Sequence, residues 1–407
     1  MSVTPARPPM PTRRLAAAGE VLAAFVMLGL TSFGGPVAHI GYFRRTFVQR
    51  RRWLDEEHFG QLLALSQFLP GPASSQLGFS IGLLRAGWLG GVAAFVGFTL
   101  PSALAMFAFA LASRTLDDAW GLALLHGLKL VAVAVVLHGV LGMGRTLAPD
   151  GPRRAMALAA AALTLWSGAA WMQLVVVASG ALLGPWLCRD VTARQGETFA
   201  LGYGHRAGTW LLGVFVLGLG TALLMPGLPP LGRVAAAFYR AGALVFGGGH
   251  VVLPLLKTAV VDAGWLDNAT FLAGYGAAQA VPGPMFSLSA FLGARLPGDM
   301  GGVAGALVAL AGIFAPGLLL VSGTLPFWRT LGQRTDATRA LAGVNAVVVG
   351  LLAAALVNPV AIGAIRGVAD VLIALMAFAL LRARWPALLA VAWCVLAAMA
   401  PLALGVR

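Results

Sequence analysis

The sequence predicts an all-α polytopic membrane protein: two homologous halves as an inverted repeat, with broken or re-entrant helices and about 9–13 membrane segments. Three observations predict it. The 407 residues are 59% hydrophobic and only 10% charged, with mean hydropathy +0.87, whereas soluble domains carry about 25% charged residues. Sequence motifs recur once, in one order, at a nearly constant spacing. The charges of equivalent loops are exchanged between the two copies.

Apolar runs recur at roughly the 17–25 residues that a membrane helix needs, which is not the alternation of a β-barrel. Gln67-Phe68-Leu69-Pro70-Gly71-Pro72 lies inside one such run and matches Gln279-Ala280-Val281-Pro282-Gly283-Pro284, 212 residues on. At the same offset Trp53-Leu54-Asp55 pairs with Trp265-Leu266-Asp267, and Phe59 with Phe271. The stretch 31–37, TSFGGPV, pairs with LVFGGGH at 244–250. Further on, 125–136 pairs with 341–352, and Trp171 with Trp385.

Loop charge sets the orientation. The 42–58 loop holds Arg44, Arg45, Arg50, Arg51 and Arg52, while 255–270 has Lys257 with Asp262 and Asp267. Conversely, 113–119 carries Arg114, Asp117 and Asp118, against Arg329, Arg334 and Arg339 in 327–339. Basic loops stay cytoplasmic, so equivalent loops face opposite sides, an architecture used by secondary transporters.

In chain order, residues 1–14 are Pro- and Arg-rich and read as a disordered tail. The apolar stretch after them has no A-x-A-like cleavage site, so a removable leader is not expected. Residues 15–187 form the first repeat: a Gly-broken segment, a Pro-Gly-Pro-broken segment, then plainer spans near 87–111, 120–144, 154–170 and 171–187. Residues 188–232 link the halves through a span near 210–225, and 233–407 form the second repeat.

The helix breaks carry the chemistry. Pro-Gly-Pro removes donors and ends a helix, and unpaired backbone groups in hydrocarbon are costly. A helix restarting after Pro72 offers free N–H groups and a positive dipole end to an anion, with the hydroxyls of Ser74 and Ser75 beside them. After Pro284 the equivalent hydroxyl is Ser287. Candidate anion-binding residues are therefore Gly34, Gly35, Gln67, Pro70, Gly71, Pro72, Ser74 and Ser75 in the first half. In the second half they are Gly247, Gly248, Gly249, His250, Gln279, Pro282, Gly283, Pro284 and Ser287. Lys129 and its counterpart Asn345 join them as polar groups inside spans. The plain alternatives are a surface loop for Pro-Gly-Pro, close helix packing for the glycines and snorkelling for Lys129. His39, His126 and His250 are candidate proton carriers. Arg44, Arg45, Arg50, Arg51 and Arg52 form either a cytoplasmic anion funnel or an interfacial helix. Arg366 and Asp370 read as a structural ion pair.

Cys188 and Cys394 fit neither a disulfide framework nor a metal site. No H-E-x-x-H or Walker motif occurs, so no cofactor or metal is expected and an enzyme is disfavoured. With no soluble basic domain, nucleic acid is not an expected partner.

The paired stretches, FGGPVAHIGYFRRTFVQRRRWLDEEHFGQLLALSQFLPGP and LVFGGGHVVLPLLKTAVVDAGWLDNATFLAGYGAAQAVPGP, resemble the chromate transporter family in its long-chain, two-domain form. The resemblance implies secondary export of chromate, a sulfate-like dianion, across the inner membrane, driven by the proton motive force or membrane potential and conferring chromate resistance. It carries over Phe33, Gly34, Gly35 and Pro36, Gln67 and Pro70 to Pro72, Phe246 to His250, and Gln279 and Pro282 to Pro284. Uptake of sulfate or another oxyanion is the alternative. An intramembrane enzyme or a non-transporting scaffold is the reading from a different class. Expected partners are the oxyanion, the bilayer and a second copy in a homodimer.

Overall fold

Each half starts with two helices that stop short of crossing. The computed structural model describes residues 11–404 apart from 168, 170, 193–198, 200, 226, 247 and 248. In the first half the helices are α1 (Pro11–Thr31), α2 (Gly35–Phe43), α3 (Glu56–Phe68), α4 (Ala73–Ala112), α5 (Ala119–Leu147), α6 (Gly151–Ser167) and α7 (Met172–Leu187). The link is α8 (His205–Leu224). The second half has α9 (Pro230–Ala243), α10 (Val252–Val260), α11 (Asn268–Ala278), α12 (Leu288–Arg295), α13 (Gly302–Thr324), α14 (Trp328–Leu331), α15 (Thr335–Ala355), α16 (Ile362–Ala364), α17 (Val368–Arg382) and α18 (Ala387–Ala403). Among the described residues, five stretches are long and apolar enough to cross a membrane: 73–112, 119–147, 205–224, 302–331 and 335–364. α1 opens at Pro11, so residues 11–14, read from the sequence as tail, are helical, and residues 1–10 lie outside the described ones.

The repeated Trp-Leu-Asp is a helix start. Asp55 accepts the His58 N–H at 2.8 Å and Asp267 accepts that of Thr270 at 2.8 Å. Each therefore caps the helix that leads to a Pro-Gly-Pro, an interaction worth about 1 kcal/mol. The bonds from the His58 backbone and ring hold the Asp55 carboxyl below the usual carboxylate range. α3, 13 residues long, reaches about 20 Å at 1.5 Å per residue. That is about two thirds of a hydrocarbon core of about 30 Å, so its Pro-Gly-Pro tip stops short of crossing.

α4 is two legs. Ala86 and Gly87 leave helical geometry, Gly87 at φ 66°, and Gly82 packs on the Gly90 carbonyl. The chain therefore turns back sharply there. The same reversal separates α12 from α13, where Gly293 meets the Gly305 carbonyl. This fixes the topology. Arg85, ending the first leg of α4, pairs with Glu20 of α1 at 3.1 Å and lies over Trp53 at 5.2 Å. The Glu20 turn of α1, the 51–55 loop and the end of that leg thus share one membrane side, face one. The second leg runs on to Arg114, whose Nη2 donates to the Ala294 carbonyl at 2.8 Å, at the end of α12. Arg85 and Ala294 occupy equivalent places in the two halves, yet about 37 Å of helix separates them. The halves are inverted.

They are also interlocked. α15 packs against α6 and α7, and α5 against α17 and α18, so each half supplies the long helix on which the other half's last hairpin lies. Small residues let these backbones touch: Gly180 and Gly343 meet backbone to backbone, as do Gly127 and Cys394–Val395. Outward-facing apolar side chains such as Leu104, Leu158, Trp166, Trp210 and Val216 are exposed, as lipid-facing residues must be.

The close approach gives the first prediction. A Cβ at position 343 would strike the Gly180 carbonyl, whereas position 142 on α5 has nothing within 4 Å. Gly343→Val is expected to destabilise the protein by about 1–3 kcal/mol or more, and Gly142→Val far less. Thermal unfolding in detergent, with monodispersity as control, measures the difference.

Candidate functional site

The four helix interruptions meet in two reciprocal bonds. The Gly71 N–H, at the first Pro-Gly-Pro tip, donates to the Val245 carbonyl at 2.7 Å, at the second glycine break. The Gly283 N–H, at the second tip, donates to the Ser32 carbonyl at 3.0 Å, at the first break. Ser32 and Val245 are equivalent positions, 213 residues apart, as are Gly71 and Gly283. Both tip glycines sit at positive φ, 122° and 102°, where other residues are strained. There is no room for a side chain either: a Cβ would lie 2.9 Å from the Gly317 Cα at Gly71 and 2.9 Å from the Ser102 Oγ at Gly283. Gly317 and Ser102 each follow a proline inside a long helix, Pro316 in α13 and Pro101 in α4.

Polar atoms surround this junction. Gln76, fully buried in the first turn of α4, donates from Nε2 to the carbonyls of Pro70 at 2.9 Å and Gly317 at 3.0 Å. His39, also fully buried, lies 3.2 Å from the Ser32 carbonyl and 3.4 Å from the Ser74 Oγ, with its ring edge-on to Phe98. Among the described residues Ser32 Oγ, Ser75 Oγ, Gln76 Oε1 and Thr99 Oγ1 are buried without a hydrogen-bond partner. Unpaired buried polar atoms are costly, and here four of them belong to the segments that converge. The first N–H groups of α4 are the orphans that any helix start leaves. Donors and hydroxyls on a helix N-terminus suit an anion without a protein-borne charge.

The sequence-predicted residues do not all gather here. Gly34, Gly35, Pro70, Gly71, Pro72, Ser74, Ser75, Pro282, Gly283 and Pro284 belong to the junction, with Gly249 flanking it; Gly247 and Gly248 lie outside the described residues. Gln67 is exposed at the inner end of α3, and Gln279 donates to the Tyr275 carbonyl at 3.3 Å. The Ser287 hydroxyl is spent on the Pro284 carbonyl at 2.7 Å. His250 bonds Tyr275 through Nδ1 at 2.9 Å and packs on Gly139 of α5. Asn345 keeps a buried, unpartnered Oδ1 on α15.

His126 lies elsewhere, 2.8 Å from Asp370. Along α5 it is some 20 Å from the part that touches His250, so the three histidines form no direct relay. Arg366 does not pair with Asp370 through its side chain among the described contacts; its backbone N–H donates to that carboxylate at 2.8 Å. Lys129 is not at the tips: Leu128 beside it abuts Gly276 of α11, and helix side chains tilt toward the N-terminus, here toward face two. Of the basic loop, Arg44 is bound by Glu56 at 2.9 Å and Arg51 lies over Trp53, leaving Arg45, Arg50 and Arg52 exposed.

Sequence reading took Gln76 only for its backbone N–H after the break and missed Ser32, Thr99, Ser102 and Gly317. The repeated proline at 101 and 316 was the available signal for the last two.

The two re-entrant arms differ. α11 is buried throughout 271–278 and is sealed by α5 and α16. α3 has exposed residues at Glu57, Gly60 and Gln67, a stripe down one face toward the tip, and α15 does not pack on it as α5 packs on α11. The second arm is thus covered along its inner length, and the first keeps an exposed face.

Inverted halves around paired helix breaks at the midplane define the class of a polytopic membrane transporter. The chain belongs to the chromate transporter family, whose model matches residues 19–185 and 232–400. It is 29% identical over 336 residues to a probable chromate transport protein of Synechococcus elongatus, covering 82% of each chain. Against the chromate transport proteins of Pseudomonas aeruginosa and Cupriavidus metallidurans the identity is 28%, over 83% and 88% of this chain and 80% and 85% of theirs. No solved structure matches.

Gln76 gives a prediction of its own. Gln76→Leu takes the Gln76 donor from the Pro70 carbonyl and breaks the link to the Gly317 carbonyl, a loss of about 1–3 kcal/mol, while Gln67→Leu on the exposed face breaks neither. A lower unfolding temperature for the first variant alone is expected.

Proposed function

We propose that this chain is a secondary transporter that exports chromate from the cytoplasm across the inner membrane and so confers chromate resistance. The observation that carries the reading is the reciprocal junction of the four helix interruptions. It offers a tetrahedral dianion the N-terminus of α4 and the unpartnered hydroxyls of Ser32, Ser75 and Thr99. The names of the relatives supply chromate as the particular oxyanion.

Direction follows from charge and access. Face one carries Arg45, Arg50, Arg52, Arg85 and Arg334, while Asp117, Asp118, Asp262, Asp267 and Asp299 stand on the other side. Basic loops remain cytoplasmic, so face one is the cytoplasmic side, and the exposed stripe of α3 is the way in from it. A dianion leaving a cell with 100 mV inside-negative potential gains about 4.6 kcal/mol. The potential alone therefore drives efflux, and coupling to protons adds to it through His39, which touches both Ser32 and Ser74.

Replacing Pro70-Gly71-Pro72 by three alanines removes the break and its lock on Val245. The variant is expected to insert but to lose at least about 100-fold in chromate flux, about 2.7 kcal/mol. Inside-out vesicles with chromate and sulfate in parallel provide the assay. Undiminished chromate flux by the variant sinks the site; sulfate movement without chromate movement by the unaltered protein sinks the substrate.

A further inference from the structure

We propose that Lys129 forms a second oxyanion position, on the release side of the central junction within the α5–α11 seam, with no charged counterpart on the entry side. This rests on the transport reading above and adds a place and a residue to it.

Lys129 is 7% exposed on a helix that lies inside the protein. No hydrogen bond or ion pair is made by its ammonium among the described residues, although it has three donors to satisfy. The nearest charges that act on it are those of Arg366, Asp267 and Asp370. Both carboxylates are already taken. Asp370 is bound by the His126 ring at 2.8 Å and the Arg366 N–H at 2.8 Å. Asp267 is bound by the Thr270 N–H at 2.8 Å and its hydroxyl at 2.6 Å. The side chain is thus buried while its ammonium is only half-buried, beside acceptors that other donors occupy. Two atoms of this neighbourhood, His126 Nδ1 and Asn268 Oδ1, are buried without a partner. Taking even part of a charge out of water costs free energy, and a purely structural position would be better filled by an apolar residue.

Its location explains what the charge is for. Leu128 and Lys129 lie where α5 closes over α11, at Gly276, one turn before Gln279 and the second tip. An anion passing from the junction to face two must part this seam, and in doing so it meets the Lys129 ammonium. At the equivalent position of the entry side, α15 carries Asn345 and stands off α3. The two positions are matched in backbone but not in charge: the seam on the release side carries a full cation, where the equivalent entry-side position carries a neutral amide. The ammonium stabilises the anion during opening, when no helix end is yet in reach.

The test uses the full-length protein in oriented proteoliposomes, with chromate added on one side at a time. Lys129→Met keeps the stem and removes the charge. It is expected to raise the half-saturating chromate concentration from face two at least tenfold, that from face one less than twofold, and not to lower the unfolding temperature. Lys129→Arg is expected to stay within threefold of the unaltered protein from either side. Equal shifts from both faces, no shift, or a fall in unfolding temperature with both faces affected would overturn the proposal and assign Lys129 a structural role. If the unaltered protein moves no oxyanion, the transport reading falls and this one with it; flux in the unaltered protein with a symmetric Lys129→Met effect removes only this one.

Discussion

The backbone of each Pro-Gly-Pro tip is held by the glycine break of the opposite half, and the rest of the structure depends on that exchange. Gly71 N–H reaches Val245 and Gly283 N–H reaches Ser32, so neither half can finish its own interrupted helices. Each broken end has backbone groups that lipid cannot satisfy. The N–H groups of the two tip glycines are satisfied by the broken ends of the inverted copy. The exchanged long helices follow the same logic, α5 serving the α17–α18 hairpin and α15 serving α6–α7. Duplication with inversion is therefore a condition for burying the breaks at all.

Within this symmetric frame the asymmetries are where direction can arise. Backbone positions correspond closely: Asp55 and Asp267 cap, Gly82 and Gly293 permit the sharp reversals, Pro101 and Pro316 precede the contacts at the tips. Side chains do not. His39 has no histidine partner at position 252, Gln76 corresponds to Leu288, and Lys129 to Asn345. The first tip is polar, fully buried and incompletely satisfied, while Ser287 and Ser289 at the second tip bond to local carbonyls. α11 is sealed and α3 is not. A pair of arms that can each be covered by the other half's long helix, with one covered at a time, is a two-state element of the kind alternating access requires.

Much of the site was legible because helix-breaking residues in an apolar run are conspicuous. Pro70 and Gly71 announce an interruption whatever surrounds them. What stayed hidden were residues whose role comes from a neighbour far along the chain. Gln76 looked like one more polar residue after a break, yet it clasps Gly317, 241 positions away. Lys129 looked like part of the anion site because depth along a helix says nothing about which tip it reaches. His126 finds Asp370 across the halves, and periodicity within α5 carries no trace of that.

By itself the sequence determined the membrane class, the doubling and the opposite orientation of the halves. Those follow from local quantities: apolar length against bilayer thickness, motif spacing, and the sign of loop charge. Tertiary structure alone decided that the four interruptions lock crosswise, that α11 is covered where α3 keeps an exposed face, and that Lys129 sits in the α5–α11 seam. Each of those is a relation between segments some 200 residues apart. Interhelical packing of small residues and backbone bonds settles such relations, and no window along the chain contains both partners.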